Sequence, residues 1–166
     1  ALAVAMFKNG NKNEAEKLLT SLSESDPNDN RVLFVQIDLL REDGRYADIM
    51  AQTTDWFERH PQDDSTLIAI AEGLTAAGGK NKAVLETAEN ILRMVMAKMP
   101  NHAGAIQSLA IVLQIAERNI EAAKLNRQLI ELDPNNVVAI NNLAWVLCEE
   151  QGKYQQAIEL AEKGLK

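Results

Sequence analysis

At 166 residues, with 46% apolar and 25% charged side chains, the chain has a globular composition and enough length to bury one sizeable core. Seventeen Lys and Arg against 24 Asp and Glu leave a formal net charge of −7, which argues against a nucleic-acid partner, because such affinity comes largely from cations that neutralise phosphates. A single cysteine, Cys148, excludes an intrachain disulfide framework and a cysteine-based zinc cluster, and leaves the compartment open between cytoplasm and periplasm.

Aromatics are only 4%, and Ala, Leu, Glu, Asn, Gln and Lys dominate, so helices are expected throughout and no β-sheet. The opening "ALAVAMF" has no basic segment before it and no cleavage site after it, so it reads as the tail of a helix and the chain as a piece of something longer. No apolar run approaches the roughly 20 residues that span a bilayer. Gly10 marks a turn into a second amphipathic helix that stops before Pro27. "LFVQIDLL", Leu33 to Leu40, opens the next pair, with "GRY" at Gly44 as its turn and Pro61 as its end. "LIAIAEGL", Leu67 to Leu74, leads through Gly78 or Gly79 into "KAVLETAENILRMVMAKM" and Pro100. "IQSLAIVL" and "INNLAWVL" open the last two pairs, the first turning at "ERN", where Asn119 suits a left-handed backbone, the second at "GKY". Each proline ends a helix because it cannot continue the hydrogen-bond ladder, and Asn135 or Asn136 can cap the helix after Pro134.

The punctuation has a period. Pro27 to Pro61 is 34 residues, Pro61 to Pro100 is 39 and Pro100 to Pro134 is 34. Leu2, Gln36, Ile70, Leu109 and Leu143 follow the same ruler, as do Met6, Leu40, Leu74, Leu113 and Leu147. Gly78 to Pro100 is 22 residues where the two earlier glycine-to-proline intervals are 17, which puts the five extra residues in the second helix of the third pair, about 1.4 turns or roughly 7.5 Å of helix. Its Met94, Met96 and Met99 read as gap-filling core ahead of a partner site. A one-residue insertion enlarges the last turn, "CEEQGKY".

Two helices per 34 residues, with Leu109, Ala110 and Leu113 or Leu143, Ala144 and Leu147 in the first and Ala15, Ala83, Ala122 or Ala157 in the second, resembles the tetratricopeptide repeat; Ile49 departs from the small residue of the second block. The resemblance covers essentially the whole chain. It implies an all-α fold, a right-handed superhelical α-solenoid of about five helix-turn-helix repeats: 1–29 partial, 30–63, 64–102 with the insertion, 103–136 and 137–166 partial. It also implies a concave groove lined by the first helix of each repeat. Carried onto this sequence, the groove takes Val4 and Phe7, then Arg31, Phe34, Asp38 and Arg41, then Ile68, Glu72 and Thr75, then Gln107, Ile111 and Gln114, then Asn141, Trp145 and Cys148. Phe7, Phe34, Ile68, Ile111 and Trp145 would form its apolar floor; Phe34 and Trp145 equally suit burial under neighbouring helices. The asparagine ladder of sugar-transferase repeat domains is absent, with Val35, Ala69 and Ser108 at the places matching Asn142. The clamp that co-chaperones use for a terminal carboxylate lacks the partners of Arg31 and Arg41.

Chemistry-bearing patterns are scarce. His60 and His102 sit beside Pro61 and Pro100 with no second ligand at zinc spacing. "AAGGKNK" has Leu74 where a phosphate loop needs glycine and Asn81 where it needs Ser or Thr. Cys148 has no base nearby in sequence, and the basic residues Lys80, Lys82, Arg93 and Lys98 are interrupted by Glu86 and Glu89. The residues therefore predict no catalytic group, cofactor or metal. They predict a protein-interaction scaffold that binds a peptide or helix. Two alternatives are a regulatory or targeting section of a larger enzyme or envelope and exopolysaccharide export protein, suggested by the likeness of "NNLAW" and "ELAEKGL" to later repeats of bacterial proteins of this kind, and end-to-end self-association through Leu2, Met6, Leu160 and Leu165.

Overall fold

The computed structural model describes residues 2–149 and 152–164, and all the regular structure among them is helical. The first repeat holds α1 (Leu2–Lys8) and α2 (Lys12–Ser25), the second α3 (Asn30–Glu42) and α4 (Tyr46–Arg59), the third α5 (Asp64–Gly78) and α6 (Lys82–Lys98). The fourth holds α7 (Ala103–Ile115) and α8 (Asn119–Leu132), and the fifth α9 (Val137–Glu149) and α10 (Tyr154–Gly164).

The joints between repeats share one construction. Each helix before a proline stops two residues short of it, and two residues beyond the proline a side chain caps the next helix. Asp29 accepts from Arg31 N at 2.9 Å, Asp63 from Thr66 N at 3.2 Å, and Asn136 from Ala139 N at 2.9 Å. At the third joint His102 does the same through Nδ1, which accepts from Ala105 N at 3.1 Å. Of the two asparagines expected to cap α9, Asn136 is the one that does.

Within repeats, four of the turns put glycine in the left-handed region: Gly10, Gly44, Gly79 and Gly152. The fourth repeat uses Glu117 (φ 61°), which corrects the expectation for Asn119, the first residue of α8. Left-handed backbone costs a non-glycine residue roughly 1–2 kcal/mol; Glu117 N donating to Gln114 O (3.0 Å) and Arg118 N to Leu113 O (2.8 Å) hold it. The five-residue insertion is not confined to the second helix either. Helix α6 has 17 residues where α2, α4 and α8 have 14, which accounts for three; α5 has 15 where α3, α7 and α9 have 13, which accounts for the other two. Gly78 closes α5 and Gly79 makes the turn. The enlarged last turn falls partly on residues 150 and 151, and Leu165 on the last two positions, outside the described residues.

The chain divides into two compact units, Ala1–Ile70 and Ala71–Lys166, the boundary running through α5. In the first, α1 packs on α2 and α3, α2 on α3, and α3 on α4. Its core gathers Ala3, Phe7, Ala15, Leu19 and Leu39, flanked by Met6, Leu18, Val32 and Val35. Ala15 is fully buried, so α1 and α2 approach where no larger side chain would fit. Ile49, at the equivalent place in α4, is fully buried too. In the second unit α6 packs on α7, α7 on α8, α8 on α9 and α9 on α10. Ile106, Leu129 and Ala139 form one cluster with Met96 against it, and Ala123, Leu143, Val146, Leu147 and Ala157 form another.

Four residues after each small residue the repeat pattern calls for a large apolar side chain. Leu19 obeys it, but the place holds Thr53, Thr87 and Asn126 in the next three repeats, all buried. The threonines return their hydroxyls to their own helices, Thr53 to Ile49 O at 2.9 Å and Thr87 to Ala83 O at 2.8 Å. Asn126, 1% exposed, has an amide nitrogen that no described group accepts from. Glu89, at 9% exposure, takes bonds from Arg93 Nε at 2.8 Å and Arg118 Nη1 at 2.6 Å, so a nearly buried carboxylate is doubly paired.

Candidate protein-interaction surface

In the first unit, Arg31, Phe34, Asp38 and Arg41 recur at three- and four-residue steps and so share one face of α3. Arg31 and Asp38 are exposed, Phe34 and Arg41 half-buried. Both arginines are engaged: Arg31 grips Asp29 through Nε and Nη2, each at 2.8 Å, and Arg41 reaches Asp38 at 3.2 Å and Glu42 at 3.8 Å. The fork from Arg31 holds the Asp29 carboxyl below the ordinary carboxylate range. Ile68 on α5 and Val4 on α1 are half-buried. Phe7 is corrected: at 7% exposure it belongs to the core between α1 and α2, because the first helix turns its ring onto Ala15 and Leu19. Lys12 Nζ lies 4.9 Å from its ring centre.

In the second unit, Gln107, Ile111 and Gln114 on α7 and Asn141, Trp145 and Cys148 on α9 occupy matching registers, 34 residues apart. Trp145 is 49% exposed and Ile111 39%, so of the two readings open for Trp145 the structure selects the surface. Asn141 is exposed, and Gln107, Gln114 and Cys148 are half-buried. Val137 and Val138, at 65% and 48%, extend the apolar stripe of α9 toward its start. On α5, Glu72 is exposed and accepts the Ser108 hydroxyl at 2.6 Å, whereas Thr75 is buried with its hydroxyl bonded to Ala71 O at 2.7 Å, which removes it from the expected groove.

The scattered basic residues are neutralised locally: Lys80 pairs with Glu117 at 2.6 Å, Lys82 with Glu86 at 3.6 Å, and Arg93 with Glu89 at 2.7 Å. In "AAGGKNK", Asn81 caps α6 by accepting from Ala83 N and Val84 N, so the segment is an interhelix turn. His60 stacks on Trp56 with ring centres 4.1 Å apart, its Nε2 2.7 Å from Asn28 Oδ1. Among the described residues, no group of three or more His, Cys, Asp or Glu could hold a metal ion, and no helix is long and apolar enough to cross a membrane.

Two concavities escaped the sequence. One, of about 310 Å³, has Leu85, Ile115 and Ala116 beneath a rim of ion pairs at the α6 start; its only sequence signal is a charged residue, Glu117, where the other turns carry glycine. The other, of about 180 Å³, lies among α2, α3 and α4.

Residues 125–159 match a family model described as tetratricopeptide repeat. The sequence matches no curated protein. Among solved structures, the chain is similar to MamA from Desulfovibrio magneticus RS-1, at 18% identity with 99% of this chain and 89% of that one covered and a TM-score of 0.60. A thermophilic tetratricopeptide protein of Thermus thermophilus, TTC0263, aligns at 17% identity over 99% and 87% of the two chains, TM-score 0.57. YrrB, whose structure is described as a tetratricopeptide protein with an unusual peptide-binding site, aligns at 13% identity over 98% and 81%, TM-score 0.59. At these identities the likeness speaks for fold, and together with the family match over residues 125–159, the proline ruler and the paired helices it shows an all-α tetratricopeptide repeat fold.

Proposed function

We propose that the chain is a non-catalytic interaction module that binds a peptide or helix of a partner protein on the faces of its first helices. The observation that carries this reading is Trp145, an aromatic ring half open to solvent in a helix whose other apolar residues are largely buried along its middle turns. Large aromatic rings at a surface supply most of the binding energy of a typical contact, and Ile111 repeats the exposure one repeat earlier. Gln107, Gln114 and Asn141 beside them supply donors and acceptors for a peptide backbone without a fixed charge. On the first unit, Phe34, Ile68, Arg31, Asp38 and Arg41 offer a smaller apolar patch bordered by internally paired charges. The fold neighbour with a peptide-binding site is in keeping with this use of the architecture. The reading assigns no cofactor and no nucleic acid.

Peptides selected on the intact chain from a displayed random library test it. Substituting Ile111→Ala and Trp145→Ala should weaken the selected peptides by about tenfold or more while the helical circular dichroism stays unchanged. Equal affinity for the substituted chain would place the site elsewhere.

A second reading is favoured by α10, where Ile158 stands 51% exposed at the place that Ala123, fully buried against α9, holds in α8. A second copy covering this face would give concentration-dependent sedimentation that Ile158→Lys abolishes.

A further inference from the structure

The second repeat departs from the repeat pattern at two places that the fold brings together. Gln36 stands where the equivalent residues are Leu2, Ile70, Leu109 and Leu143, three of them buried in helix seams. Gln52 lies three residues after Ile49; the residues three after Ala15, Ala122 and Ala157 are Leu18, Leu125 and Leu160, each packed against a core cluster, while the third repeat carries the exposed Glu86 there. Both glutamines line the same cavity of about 180 Å³, inside the first unit, with Leu19, Leu39 and Leu40 supplying its apolar wall. Both glutamines stand where most repeats hold an aliphatic residue, and the fold brings the two amides to one concavity.

Gln52 Oε1 is shielded, and among the described residues no group donates to it. A buried acceptor without a donor is costly, which makes it a preorganised half of a hydrogen bond. The charges in the lining are paired: Arg45 pairs with Glu16 and also with Asp48 at 2.6 Å. No unpaired charge lines the cavity, so a charged guest would lose its hydration without gaining a counter-ion. The guest that fits is neutral, presents a donor and an acceptor side by side, and has a short aliphatic portion for the leucines. A carboxamide has that pattern and is self-complementary with a glutamine side chain. The volume suits one side chain or a molecule of that size; an apolar cavity of about 150 Å³ holds a benzene ring.

We propose that the cavity between α2, α3 and α4 is a carboxamide-binding site, in which Gln36 and Gln52 recognise the amide of an Asn or Gln side chain or of a small free amide. Its test uses the intact 15N-labelled chain, with the side-chain amide signals of Gln36 and Gln52 assigned through the single leucine variants. Acetamide should shift both signals saturably, while acetate and methylammonium, of similar size but charged, should not. The Gln36→Leu, Gln52→Leu double variant should melt at or above the parental temperature, because it replaces two amides against an apolar wall by the side chain that most repeats carry there, and should show no saturable response. A blocked tripeptide with central glutamine that binds more tightly than acetamide assigns the site to a partner's side chain; the reverse order assigns it to a free small amide. A strictly linear response to acetamide, an equal response to acetate, or saturable binding retained by the folded double variant would overturn the proposal.

Discussion

Asp63 shows how much one side chain does at a joint. Its carboxylate accepts from Trp56 Nε1 at 2.9 Å, Ser65 Oγ at 3.0 Å and Thr66 N at 3.2 Å, tying the end of α4 to the start of α5. Partial burial pushes its pKa upward, but the bonds from Thr66, Trp56 and Ser65 outweigh that and hold it below the ordinary value. A depressed folded pKa contributes stability that is present above the unfolded value, near 4, and is lost as pH falls through the folded one. Denaturant midpoints should therefore drop on acidification below about pH 4, and Asp63→Asn should lower the neutral-pH midpoint and flatten that dependence; an unchanged slope would remove Asp63 from the account. Residue by residue, the sequence was a fair guide where a side chain's fate depends on its own helix and a poor one where it depends on the neighbour. Trp145 and Ile111 stand at the surface on the face their register indicates, while Phe7 and Thr75, on the same nominal face, are covered. The pairing of Gln36 with Gln52 around a cavity depended on contact between helices that no spacing rule contains.

The pairing of helices and the joints between them were legible because prolines and caps are local chemistry, and the 34-residue ruler needs no tertiary information. The insertion was misplaced for a local reason as well: Gly78 and Gly79 are adjacent, and either suits a turn. The helix absorbs Gly78 and leaves Gly79 (φ 53°) to turn. A Cβ at Gly78 would stand 2.4 Å from Val84 Cγ1 and 2.8 Å from Val84 Cβ, a stiff β-branched side chain at 2% exposure. In an open helix Gly→Ala gains about 1 kcal/mol. Here Gly78→Ala should instead destabilise, by about 1–3 kcal/mol, the cost typical of overpacking, and Val84→Ala in the same chain should recover part of the loss. A calorimetric melt that rises for Gly78→Ala alone would mean that the α5–α6 turn yields without cost.

Charge is unevenly shared along the chain. Residues 1–70 hold 13 Asp and Glu against 7 Lys and Arg, whereas residues 71–166 hold 11 against 10, so the first unit carries −6 of the net −7. Self-repulsion of that kind weakens a compact state and is screened by salt. Raising the salt concentration should therefore stabilise the first unit more than the second, and equal shifts of both would refute the charge argument. In a repeat protein each repeat contacts only its neighbouring repeats, so partial melting of this sort is the expected behaviour. The two tryptophans make it visible without a label. Trp56, 4% exposed and stacked on His60, lies in the first unit, and Trp145, 49% exposed, in the second. Emission of one ring starts shielded and moves to the red as its surroundings open, while the other starts near the colour of a hydrated indole and is quenched by acrylamide from the outset. A single fluorescence melt thus carries two separable optical signals, the shielded ring timing the loss of the first unit and the quenchable ring reporting any partner that settles over the second.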